Sequence, residues 1–185
     1  MRIISGFLKG KKIDFPKSST TRPLRDLVKE NIFNIINHSK SISISLENSQ
    51  VLDLYAGVGS FGIECISRNV AQATFVEKDK LALKVLKNNL KNLNIENKAE
   101  IIEDKIASCL TQIKSKFDII FLDPPFAENF FIQDLKKIKE SKIYNSRHLI
   151  VIHREKKTQD DLSQILNITL TKNYGRSKIF FGNLN

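Results

Sequence analysis

Three acids stand where a reaction could use them: Asp53, Glu77 and Asp123. Asp53 lies in the apolar run Val51–Tyr55, which feeds through Ala56 into a turn carrying Gly57, Gly59 and Gly62. Glycine lets a backbone take positive φ and come close to a ligand. The helix that begins near Ser60 offers unpaired N–H groups at its start. The spacing G-x-G-x-x-G fits a nucleotide-binding turn but is a weak signal alone. Asp53 narrows it. A dehydrogenase needs no acid four residues before the first glycine. S-adenosylmethionine (SAM) enzymes commonly carry one, because the methionine end of that cofactor bears an ammonium group. Glu77 closes the next apolar run, Ala73–Val76, 20 residues past Gly57, where an acid accepts ribose hydroxyls. The plainer alternative makes Asp53 a cap and Glu77 a solvated strand end. Two acids at the two expected places favour the cofactor.

Asp123 opens Asp123-Pro124-Pro125-Phe126, directly after the apolar run Phe117–Leu122. Two prolines remove two donors and stop any helix or strand. The residue before the first is pushed to extended geometry. The result is a rigid loop holding a carboxylate and a carbonyl beside an aromatic ring. Methylation of an exocyclic amine on a base wants such a loop. That amine is a poor nucleophile because its lone pair is delocalised into the ring. Acceptors that orient its N–H bonds aim the lone pair at a methyl donor, and an aromatic stacks on the flipped base. The competing reading is a proline turn with an incidental Phe.

The elements that must position these groups alternate strand and helix. Strands are expected at Gln50–Tyr55, Ala73–Glu77, Ala99–Ile102, Phe117–Leu122 and His148–His153, with helices at 25–38, 60–68, 80–93, 106–114 and 128–140. A short helix is expected over 158–166, and a closing hairpin over Ile168–Lys172 and Lys178–Phe181 about the turn glycine Gly175. The opening stretch 1–17 alternates apolar and basic residues and reads as a β-hairpin. It then leads into loop 18–24. After the third strand, Glu103-Asp104-Lys105 offers an acid for an adenine amino group. The register there is open, and Asp104 is favoured. His153 and Arg154 end the fifth strand, and a strand-end cap is favoured over a place at the active-site rim. Strand–helix alternation with a closing hairpin implies an α/β, Rossmann-like, seven-stranded and mostly parallel sheet with an antiparallel last strand.

The chain of 185 residues fits one domain, 1–185, with 1–40 as an N-terminal hairpin and helix extension. It is 41% hydrophobic, an ordinary globular value. No signal peptide, apolar membrane-length run or metal-ligand cluster is read. The two cysteines, Cys65 and Cys109, have no metal spacing, and a cytoplasmic monomer is expected. A formal net charge of +10 points to a polyanionic partner, although a Lys-, Asn- and Ile-rich composition of the AT-rich kind accounts for part of it.

The motifs D-L-Y-A-G-V-G-S-F-G, F-V-E-K-D and D-P-P-F come with an opening R-P-x-x-D-x-V-K-E, from Arg22 to Glu30, followed by Phe33-Asn34. Together they resemble the RsmD family of bacterial methyltransferases, from Met1 to the final hairpin. The resemblance implies SAM-dependent transfer to N2 of a guanine, guanine 966, in 16S rRNA, presented by an assembled or assembling small ribosomal subunit. It implies that Asp53, Ala56, Gly57, Gly59, Gly62, Glu77 and Asp104 hold the cofactor. Asp123, Pro124, Pro125 and Phe126 would hold the target base, and Arg2, Lys9, Lys11, Arg22 and Arg25 the RNA. An adenine-N6 enzyme or a non-catalytic, RNA-binding assembly factor are the alternatives.

Overall fold

In the computed structural model, residues 1–16, 24–125 and 130–185 are described. Strand β1 (Gln50–Leu54) is buried from Val51 on, as befits a central parallel strand, and carries the acid Asp53 within its apolar run. It pairs in parallel with β2 (Gln72–Val76) on one side and β4 (Phe117–Leu122) on the other. β3 (Ala99–Ile102) adds outside β2, and the 12-residue β5 (Tyr144–Glu155) outside β4. The hairpin of β6 (Leu166–Tyr174) and β7 (Ser177–Leu184) joins antiparallel through β7, giving the order β3-β2-β1-β4-β5-β7-β6.

Successive side chains of a strand point to opposite faces, so the sheet has two cores. Val51, Phe75, Ile119, Phe121, Val151 and Phe181 pack beneath α1 (Asp26–His38), α2 (Ser60–Ser67) and α3 (Lys80–Asn92). Leu52, Leu54, Ile120, Leu122, Ile150 and Ile152 pack beneath the short α4 (Ile106–Cys109) and α5 (Phe131–Ser141). The rings of Phe33, Phe61 and Phe121 stack from α1 through α2 to the sheet, with centroids 5.1 and 4.0 Å apart.

Three local expectations are corrected. The N-terminal ribbon closes by a single antiparallel bridge, Arg2 to Lys12, because its backbone also bonds to α2. Residues 158–166 form no helix. Thr158 spends its hydroxyl on Asp160 and on the Glu155 carbonyl, and side-chain bonds of this kind compete with a helical ladder. α4 stops at Cys109, where the Gln112 N–H turns back to the Cys109 carbonyl.

Ionic groups fasten the ribbon. Lys29 and Glu64 are both fully buried, with Nζ 3.4 Å from Oε2. Glu64 also accepts from the backbone N–H groups of Ile4 and Ser5 and from Arg68 Nε, while Lys29 donates to the Arg2 carbonyl. Burial pushes the Lys29 ammonium below its usual range, with Glu64 opposing. No helix among the described residues is long and apolar enough to cross a membrane.

Candidate active site

The parallel strands β1 to β5 end on the same side, and the chain builds from β1 outward through β2 and β3 on one flank before crossing back to β4 and β5 on the other. Clefts of open α/β sheets form at such a switch point, beyond the carboxyl ends of the strands. Asp53, Glu77, Asp104 and Asp123 all lie there, each at or just after the end of its strand.

The glycine turn is built by backbone geometry. Gly57 has φ +56, and a Cβ there would meet open space, which leaves that face of the turn clear for a ligand. Gly62 sits against the sheet, where a Cβ would fall 2.3 Å from the Phe75 ring. Asp53, 1% exposed, accepts from the Gly62 N–H at 2.9 Å and so ties the start of α2 to β1. Burial pushes its carboxyl well above the usual range. The Gly62 N–H opposes this, and the negative charges of Asp123 and Glu77 add to it. Asp53 thus acts on the start of α2 through the Gly62 N–H.

Glu77 accepts from the N–H groups of Gly57 (2.7 Å), Lys78 and Asp79 (both 2.8 Å). Ribose hydroxyls would share or displace these bonds, since a carboxylate has about four acceptor positions. Of the adenine candidates, Glu103 is exposed and paired with Lys87, whereas Asp104 is half-buried and accepts from the Lys105 N–H. Lys105 itself is exposed at the start of α4. Asn89 of α3 holds the turn from below. Its amide donates to the carbonyls of Val58 and Asp14, and its oxygen accepts from the Asp14 N–H, joining the glycine turn to the ribbon.

The other wall is the Asp123 loop. Leu122 pairs with Ile152 across β4 and β5, so Asp123, just past the end of β4, comes beside His153, which is still within β5. His153 Nδ1 lies 2.8 Å from Asp123 Oδ1, and its Nε2 lies 2.9 Å from Ser177 Oγ on β7. The fully buried Arg154 donates to the Pro125 carbonyl at 3.2 Å, pairs with Asp160, and lies 4.5 Å over the Phe131 ring. One guanidinium thus grips the chain at Pro125 and again at Phe131. The expectation that these two residues merely cap a strand end is overturned: both reach the loop. The signal was legible as two polar, basic side chains closing a buried strand that runs parallel to the one ending in Asp-Pro-Pro. Tyr55, with φ +60, donates its hydroxyl to Asp134 at 2.5 Å and anchors α5 below the turn.

Phe126 and Arg22 lie outside the described residues. Arg2 and Arg25 are exposed, Arg2 3.9 Å from Asp26. The ribbon runs along α2. Met1 Sδ lies 3.0 Å from Ser60 Oγ at the cofactor-turn end, and the Phe7 N–H donates to the Ser67 carbonyl at the other. Lys9, at the ribbon tip, is therefore about 12 Å of helix from the glycine turn.

The family described as conserved hypothetical protein 95 matches residues 1–183. Ribosomal RNA small subunit methyltransferase D of Buchnera aphidicola (subspecies Acyrthosiphon pisum) is 37% identical over 156 residues, 84% of this chain and 78% of that protein. An Escherichia coli structure, provisionally named the methyltransferase yhhF, superposes with a TM-score of 0.84 at 25% identity, covering 100% of this chain and 98% of its own. A more distant methyltransferase structure, SMU.776, was solved in complex with SAH. At 14% identity, TM-score 0.64 and coverage of 82% and 48%, it shares the fold.

Proposed function

Because the chain belongs to the conserved hypothetical protein 95 family, the RsmD family of small-subunit rRNA methyltransferases, we propose that it transfers a methyl group from SAM to N2 of a guanine in 16S rRNA, at position 966. The observation that carries this reading is the Asp123 loop, held by His153 and Arg154 at the switch point beside the glycine turn.

SAM supplies a methyl carbon made electrophilic by its sulfonium. The chain positions the two reactants. Gly57, Gly59 and Gly62, with Ala56, let the backbone approach the cofactor. Asp53 fixes that turn, Glu77 takes the ribose and Asp104 the adenine amino group. On the facing wall, Asp123 and the Pro124–Pro125 backbone accept the N–H bonds of the guanine amine, and Phe126 stacks on its ring. The nitrogen lone pair forms the new bond to carbon as the carbon–sulfur pair leaves with sulfur, giving SAH. The methylated amine then sheds one proton, for which the Asp123 carboxylate is the adjacent acceptor. Alignment and electrostatics account for the acceleration.

Arg2, Arg22, Arg25, Lys9 and Lys11 contact the RNA. The exposed charges of Arg2, Arg25, Lys9 and Lys11 favour a broad partner, an assembled or assembling small subunit, bound by a monomer.

The test is methyl transfer from labelled SAM to small subunits lacking the modification, with naked rRNA in parallel and nucleoside analysis of the product. N2-methylguanosine is expected, and N6-methyladenosine would replace this reading with the adenine one. Asp123→Ala is expected to lower kcat at least about 100-fold while SAM affinity stays within about twofold. Loss of SAM binding would instead assign Asp123 to the framework.

A further inference from the structure

Resting on that reading, we infer that His153 is the positioning residue for Asp123, and that Ser177 fixes the imidazole so that Nδ1 carries the hydrogen. The three groups form one chain from β7 through β5 to the catalytic loop: Ser177 Oγ, His153 Nε2 and Nδ1, Asp123 Oδ1, with contacts of 2.9 and 2.8 Å. His153 is only 6% exposed, so its ring cannot turn into solvent without leaving the sheet.

The donor assignment follows from the partners. An ionised carboxylate only accepts, so Nδ1 must donate to Oδ1. Nε2 of the neutral ring is then an acceptor, and the Ser177 hydroxyl is the donor within reach. A ring with its proton on Nε2 would aim a lone pair at the carboxylate. The bond to Oδ1 restricts the rotation of the Asp123 side chain, the group that meets the incoming amine.

The location argues for the same role. The His153 ring reaches Asp123 from β5, the strand paired beside β4. On the same strand Arg154 holds the Pro125 carbonyl. Adjacent residues of β5 therefore set both acceptors of the loop, the carboxylate and the backbone.

The experiment compares His153→Ala, His153→Asn and Ser177→Ala with the wild-type chain. The probes are methyl transfer to small subunits, SAM affinity, and nitrogen-15 NMR of the His153 ring. His153→Ala is expected to lower kcat about 10–100-fold, as removal of a group that orients a reacting group does. SAM affinity and the KM for subunits stay within about twofold. In His153→Asn the side-chain amide replaces the Nδ1–H, and most of the loss is recovered. The wild-type ring shows its hydrogen on Nδ1, and Ser177→Ala mixes the two tautomers. Full kcat in His153→Ala overturns the inference, as does an Nε2-protonated ring in the wild type. So does a folded His153→Asn as inactive as His153→Ala. Absence of transfer by the wild type would defeat the functional reading instead, and the NMR assignment would still decide the hydrogen-bond chain.

Discussion

Asp53 is a carboxylate kept where its charge is disfavoured, in a buried site facing two further acids. Its folded-state pKa lies above the unfolded one, so the folded chain holds that proton more tightly. Stability is then lost as pH rises from the ordinary Asp value of about 3.9 through the raised folded value. Asn keeps an acceptor for the Gly62 N–H without the charge. Asp53→Asn should therefore be more stable than the wild type at neutral pH, with no advantage in acid below about pH 3.9. Each kcal/mol gained would appear as about 2–4 °C in Tm. SAM should bind more weakly, which calorimetry would check. A Tm difference independent of pH would mean that the charge is not the cause.

At the scale of elements, the ribbon, α1 and α2 are joined by buried ionic groups as well as by apolar packing. Lys29 belongs to the opening motif and would pass for an RNA-facing lysine, yet it is fully buried on Glu64. Removing one member of a buried pair leaves the other uncompensated, at a cost of about 3–5 kcal/mol. Arg68 remains 2.9 Å from Glu64, so Lys29→Met should cost about 3 kcal/mol, the lower end of that range. Denaturant unfolding measures this, and a change below about 1 kcal/mol would show Arg68 to be sufficient alone. The same variant should detach residues 1–5 first, since Lys29 holds the Arg2 carbonyl and Glu64 the Ile4 and Ser5 N–H groups, while Ser67 and Asn89 hold the rest of the ribbon. Amide hydrogen exchange at Ile4 and Ser5 reads that detachment.

Across the whole molecule, positive charge gathers near the Asp123 loop as well as on the ribbon. An open groove of about 370 Å³ is lined by Glu155, Lys156, Lys157, Gly175 and Arg176. The Lys156 N–H holds its two sides together by donating to the Arg176 carbonyl at 2.7 Å. Ser177, the next residue, contacts His153 and through it Asp123, so the groove flanks the place where a target base would sit. Phosphates on either side of that base fit it. The double variant Lys156→Glu, Arg176→Glu should raise the KM for subunits about 10-fold or more, with SAM affinity unchanged. Each lost phosphate contact should flatten the salt dependence of binding by about 0.7–0.9 in log–log slope. An unchanged slope would remove the groove from the RNA path.

The sequence by itself determined the strand–helix order, the glycine turn and the three acids that flank the cleft. These depend on periodicity and on residues with few conformational options, glycine and proline above all, and such information is local. It also carried the family, because the Arg22–Glu30 opening and Asp-Pro-Pro-Phe are contiguous motifs. Only the tertiary structure decided what each polar group faces. Lys29 is fully buried although lysine is a residue type almost always left exposed. His153 and Arg154 support the Asp123 loop from a strand about 30 residues away. Asp53 and Glu77 are spent on backbone N–H groups of the turn. The ribbon gave up regular pairing for bonds to α2. Hydrogen bonds and ion pairs between residues distant in the chain follow from strand register and helix packing, which no local pattern encodes.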